Sequence, residues 1–156
     1  MAYSPPAQAR LMQETLASGE LLYKSLRSLQ DDHGYSWQLI AFKTDSDPLA
    51  RLRLVGFPTI PPIDHQAPLK VQGDGAEVSV PDQTPRFGAA APPSTVAQYP
   101  LAPIVAAADT PFKALTLKIL SQQSQRDSLH LLHVPKSVVR EWQAILKCEL
   151  KPCSFN

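Results

Sequence analysis

The sequence has no run of about 18 apolar residues, so no membrane-spanning helix is expected. Excess charge of either sign is also missing: 15 Lys+Arg against 14 Asp+Glu leave a formal net charge of +1. That balance excludes the broad basic footprint of a nucleic-acid-binding domain, and equally an acidic tail or a strongly charged steering surface. Phosphate-cradling loops fail, because Gly73-Asp74-Gly75 has no third glycine in register and no Gly-Lys-Ser/Thr occurs. The Gly-x-Ser-x-Gly elbow of a hydrolase is absent too. Cysteine is scarce: Cys148 and Cys153 can close a small loop or stay reduced, and their spacing without further ligands is a poor zinc pattern. At the N-terminus, Met1-Ala2-Tyr3-Ser4-Pro5-Pro6 carries no basic segment leading into an apolar one. Either the protein begins at its own Met in cytoplasm or stroma, or a targeting segment lies outside this sequence.

Proline, by contrast, is abundant, with 16 in 156 residues, roughly twice the usual share. Long helices are thereby excluded from most of the chain, whose length fits one domain with one core. Residues 1–20 read as an extension with a short helix, since Leu11, Met12, Thr15 and Leu16 share a helical face and Gly19 can end it. Leu21–Leu29 and Tyr35–Lys43 read as a hairpin around the turn sequence Asp31-Asp32-His33-Gly34. Arg51 to Val55 alternates, with Leu52 and Leu54 on one face and Arg51 and Arg53 on the other. Residues 69–71 and 76–80 form a second hairpin pattern. Residues 81–103 read as a proline-rich surface loop, and Leu101 to Ala108 as a brief helix packing Ile104 and Val105. Leu115–Ile119 and Leu129–Val134 give a third hairpin with a long polar tip. Pro135 then opens a helix to about Lys147, striped by Val138, Val139, Trp142, Ile145 and Leu146. The sum is an α+β domain over 21–147. Antiparallel hairpins form a twisted sheet, partial barrel or sandwich, with a C-terminal amphipathic helix and a Cys-bearing tail over 148–156.

Catalytic and metal-binding patterns are weak. His33 and His65 lie in turn or loop sequence, and His130 and His133, three apart on a strand, point to opposite faces. Asp31 with Asp32, and Asp45 with Asp47, are explained by turn chemistry better than by paired acid–base work. Cys148 has no indicated base. Trp37, Phe42, Leu54, Phe57 and Trp142 either fill the core or line a ligand pocket. Arg51 and Arg53 form either a solvated sheet face or a grip for a partner's carboxylate or phosphate. No metal or cofactor is implied.

Two segments together resemble a family of uncharacterised cyanobacterial and plastid proteins: Trp37-Gln38-Leu39-Ile40-Ala41-Phe42-Lys43 and Leu52-Arg53-Leu54-Val55-Gly56-Phe57-Pro58. Val134-Pro135 leading to Glu141-Trp142-Gln143 is similar to that family's closing helix. The resemblance covers about residues 21–146. It implies export to the thylakoid lumen or periplasm and a role near photosynthetic membranes, and it carries over no catalytic residue. If the chain is a mature lumenal form, a Cys148–Cys153 bridge is favoured. The expected function is a non-catalytic accessory or assembly protein, docking on a photosynthetic membrane complex such as a photosystem through residues 1–20, 81–103 or the tail after Cys148. The alternative is a small barrel holding a lipid, pigment or quinone. A third class, an enzyme whose cleft gathers histidines and carboxylates distant in sequence, completes the set.

Overall fold

A computed structural model describes residues 11–57, 62–74, 76–84, 95–108, 113–123 and 126–147. Among these, nine strands form two antiparallel sheets. The first runs in the order β1 (Met12–Thr15), β2 (Leu21–Gln30), β3 (Ser36–Thr44), β4 (Arg51–Phe57) and β7 (Val96–Pro100). The second runs β6 (Glu77–Val80), β5 (Leu69–Gln72), β8 (Leu115–Gln123) and β9 (Arg126–Val134). Helix α1 (Leu101–Ala107) follows β7, and α2 (Lys136–Lys147) closes the described chain.

Period-two patterning decides which face of each strand is buried. On β3, Trp37, Leu39, Ala41 and Lys43 are buried while Gln38, Ile40, Phe42 and Thr44 are only half covered. On β4, Leu52 and Leu54 point inward and Arg51, Arg53 and Val55 outward. The same parity on β8 and β9 buries Leu115, Leu117, Ile119, Leu132 and Val134. The β2–β3 hairpin is held in register from Leu22 opposite Thr44 to Gln30 opposite Ser36. Its turn ends on Gly34 at φ +84°, a left-handed conformation that a residue with a Cβ adopts only with strain. Both helices start at proline, where the missing N–H has no partner to lose. Pro100 precedes α1, and the Pro135 carbonyl receives the Val138 and Val139 amides of α2. The core face of α2 buries Val138, Val139, Trp142 and Ile145 against β2, β3 and α1.

The α+β class, the three hairpins, the brief α1 and the C-terminal helix match the sequence reading. The third hairpin lacks its expected long polar tip, because Ser121, Gln122 and Gln123 pair with Ser128, Asp127 and Arg126 and lengthen β8 and β9. Two further segments differ from the reading. The expected N-terminal helix is instead strand β1: Met12 to Thr15 pair with Lys24 to Leu21, and Gly19, at φ +87°, serves the β1–β2 turn. Four residues of helix would have buried little alone, whereas the edge of β2 offers a ready ladder. The second difference lies inside the proline-rich 81–103 stretch. Val96 to Pro100 forms β7 on the edge of β4, burying Ala97, Gln98 and Tyr99. Pro100 ends the strand and Pro103 sits in the first turn of α1, both positions that tolerate proline. Residues 85–94 and the tail 148–156, with Cys148 and Cys153, lie outside the described residues.

The two sheets stay separate open ladders but meet at two corners. At one corner the segment after β6 reaches β7. The Gln83 amide donates to the Gln98 carbonyl at 2.7 Å, and the Gln98 amide to Thr84 Oγ1 at 3.0 Å. Asp82 holds this corner through the Thr84 amide at 2.8 Å and His65 Nδ1 at 2.8 Å. Burial, with the nearby Asp82 charge, pushes the Tyr99 hydroxyl well above its ordinary range. The other corner, between the β2–β3 turn and β9, carries the chemistry described below.

Gly73, in the β5–β6 turn, marks a close approach: a Cβ there would stand 1.5 Å from the Ala107 carbonyl oxygen of α1. Gly73→Ala must push helix and hairpin apart. We expect a loss of about 1–3 kcal/mol, measured by urea unfolding against wild type.

Candidate functional site: a buried carboxylate–imidazole–hydroxyl chain

Asp31 sits at the end of β2 with its side chain fully buried. One oxygen does turn work, accepting the His33 amide at 2.8 Å and the Tyr35 amide at 3.0 Å. The other faces the interior, accepting from Trp37 Nε1 at 2.9 Å and lying 2.9 Å from His130 Nδ1. His130 comes from β9, 99 residues along the chain and in the other sheet. Its second nitrogen, Nε2, lies 2.7 Å from Ser121 Oγ on β8. Ser121 Oγ also reaches the Ser128 carbonyl at 3.4 Å. His33, Tyr35 and Trp37 surround the His130 ring at centroid distances of 5.2, 5.6 and 6.0 Å.

Burial pushes the Asp31 carboxyl up, but the hydrogen bonds from Trp37, Tyr35, His33 and His130 together outweigh it and hold the group below its ordinary range. An ionised carboxylate only accepts, so His130 Nδ1 carries a hydrogen and donates it. In the neutral ring, Nε2 is then the acceptor for the Ser121 hydroxyl. This is the connectivity of a serine-hydrolase triad, in the chain order Asp, Ser, His. Access is what differs. Ser121 has no exposed surface and His130 only 1%, so no substrate carbonyl reaches Oγ in this conformation. What the chain does here is join the sheets. Around it the same turn grips β9 again: the Asp32 amide donates to the Leu131 carbonyl at 3.1 Å, and the Leu131 amide to Asp32 Oδ1 at 2.8 Å. His33 Nε2 lies 3.1 Å from the Leu129 carbonyl.

The aromatic and arginine residues singled out from sequence fall into separate places. Trp37, Leu54 and Trp142 have no exposed surface and belong to the core. Phe42 is half-buried on the outer face of the first sheet, with the Arg53 guanidinium 5.3 Å from its ring centroid. Arg51 is paired with Asp47. The Phe57 side chain lies outside what the structure describes. His133 is exposed and bonds Thr116 on the outer face of the second sheet, opposite in direction to His130. No group of three or more metal-ligating side chains occurs among the described residues. Asp31, Ser121 and His130 are the residues that sequence reasoning passed over as a set. His130 left a signal, since it shares the inward phase of β9 with Leu132 and Val134; Ser121 left none, because it lies in a polar stretch.

Fold and site thus define the class: an α+β two-sheet domain with a polar bolt in its interior. The chain belongs to the family described as protein of unknown function (DUF3122), whose model matches residues 9–145. No curated protein and no solved structure matches it.

The lowered Asp31 value sets a sign for pH. Its contribution to stability is complete above the unfolded-state value near 3.8 and is lost as pH falls below that toward the folded-state value. Asp31→Asn should cost about 3 kcal/mol at pH 7, because three to four buried donors lose an ionised acceptor. The gap between variant and wild type should narrow below pH 4, as read by denaturant unfolding across pH.

Proposed function

We propose that this protein is a non-catalytic accessory or assembly factor that docks on a larger protein complex through the outer face of its first sheet. The observation that carries this reading is Arg53. Its neighbours on that face are neutralised within the chain, Lys24 by Glu14 at 2.7 Å and Arg51 by Asp47. Arg53 has no carboxylate partner among the described residues, and its Nε is buried without any hydrogen-bond acceptor. It lies across from Ile40 on β3 and Gln98 on β7, over Phe42. Leu26, paired with Ile40, is 40% exposed beside it. An apolar strip around a guanidinium that no carboxylate of the described residues neutralises fits a partner surface that offers a carboxylate within an apolar patch.

The complex we infer is a photosynthetic membrane assembly approached from the lumenal side. Support for that location comes from the Trp-Gln-x-Ile-x-Phe-Lys and Leu-Arg-Leu-Val-Gly-Phe-Pro resemblance. The absence of any helix long and apolar enough to cross a membrane, among the described residues, is consistent with peripheral docking. The second reading, a binder of a small hydrophobic molecule, is favoured by one observation: Ser25 Oγ and Trp142 Nε1 are buried without partners among the described residues. Two helices packed among Trp37, Leu54 and Trp142 weigh against a large occupant.

Gentle detergent extraction of native membranes, followed by native electrophoresis and mass spectrometry, tests the proposal. The chain should migrate with a large complex. Arg53→Glu should migrate alone while melting within a few degrees of wild type. Wild type migrating alone near 17 kDa and yielding an extractable lipid or pigment would replace this reading with the second.

A further inference from the structure

The His130 ring is buried, and both of its nitrogens are engaged. A buried imidazole takes up a proton in place only if both resulting N–H groups find acceptors and the new charge finds an opposite one. This corner supplies all three. Nδ1 already donates to Asp31, which burial alone would push up but which its donors keep ionised. The partner of Nε2 is a hydroxyl, which accepts as readily as it donates. Ser121 also has a second place to send its hydrogen: the carbonyl of Ser128, its ladder partner on β9, at 3.4 Å. A carbonyl has two lone pairs, so a ladder bond does not close it to the hydroxyl. The two distances at Ser121 show which bond is made while the ring is neutral. That to His130, at 2.7 Å, is a full hydrogen bond, whereas 3.4 Å to Ser128 is a long one.

We propose that this corner is a proton-operated clasp between the sheets: His130 takes up a proton where it stands and donates to Asp31 and Ser121 at once, while the Ser121 hydroxyl turns its hydrogen to the Ser128 carbonyl. Only one hydroxyl rotates, so the packing around it is kept. A neutral chain of hydrogen bonds becomes an imidazolium–carboxylate pair, whose charge-assisted bonds are about twice as strong. β8 gains a side-chain bond to β9 in the same step. The remaining charged or titratable groups around the ring, among the described residues, leave this step open. His33, from the turn, stands edge-on at 5.2 Å, but its Nε2 donates to the Leu129 carbonyl and lies 3.9 Å from Asp32 Oδ1. Asp32 itself accepts the Leu131 amide. Tyr35 presents its ring at 5.6 Å. Asp64, one residue after the Ile63 bridge to Ser121, turns its carboxylate to the Gln66 amide at 3.0 Å. The clasp acts inside the domain and stands whether or not the outer face of the first sheet docks a partner.

Imidazole nitrogen shifts, followed by NMR of the full-length protein from about pH 8 down to about pH 5, test the proposal. Wild-type His130 should pass from singly to doubly protonated while the Trp37 indole N–H, bonded to the same Asp31 oxygen, keeps its signal. In Ser121→Ala the charged ring loses the acceptor of its second N–H, so the His130 midpoint should fall by about half a unit to one unit. A midpoint that is unchanged or raised in Ser121→Ala would overturn the proposal, because the hydroxyl would then favour the neutral ring at least as much. Two wild-type results would overturn it as well: loss of the Trp37 signal as His130 charges, and a His130 that stays neutral until the protein unfolds.

Discussion

The structure depends on one buried carboxylate. Asp31 gathers donors from its own turn, from Trp37 on the neighbouring strand and from His130 in the opposite sheet. Of those donors, Trp37 Nε1 and His130 Nδ1 would otherwise be polar groups buried without an acceptor. A charge is costly to bury alone, but four donors at 2.8–3.0 Å replace its water and keep it ionised. The corner is specified as well as stabilised. Only one registry of β9 against the β2–β3 turn lets His130 meet Asp31 while the Leu131 amide and carbonyl meet Asp32.

From this corner the rest of the architecture follows. Two open sheets of alternating pattern would have many ways to pack face to face, because apolar contact is not directional. The bolt at Asp31 and the Asp82–Thr84–Gln98 corner remove that freedom from both sides. Between them the helices fill the interior, α2 anchored by Trp142 and by the Arg27–Glu141 pair, α1 by the amide of Leu101 on the Ala50 carbonyl. On the outer face of the first sheet Leu26, Ile40 and Phe42 lie around Arg53, whereas the second sheet carries a linked polar group beside the exposed Leu129. There Lys70, Glu77, Lys118, Thr116 and His133 bond among themselves. The docking surface we propose lies on the first of these faces.

Much of this was legible in the sequence because period two and turn chemistry are local. Leu52 and Leu54 against Arg51 and Arg53, or Asp31 to Gly34 between two apolar runs, state their structure directly. β1 was not, since Leu11, Met12, Thr15 and Leu16 satisfy helical spacing and glycine serves a helix end as readily as a hairpin turn. What decides the matter is the edge of β2, which no local pattern contains. β7 was hidden by prolines that turn out to stand at its last residue and in α1. The polar bolt was half legible. The turn role of Asp31 was read correctly, but its second oxygen serves a residue 99 positions away. Only the inward phase of His130, shared with Leu132 and Val134, hinted at it.

The most direct measurement is a double-mutant cycle between Asp31 and His130, using Asp31→Asn, His130→Gln and the pair, with unfolding free energies at pH 7. A bolt between the sheets predicts a coupling energy of about 1–3 kcal/mol, because removing either partner strands the other. Costs that add within about 0.5 kcal/mol would mean that the two residues do not hold the corner together, and would contradict the account.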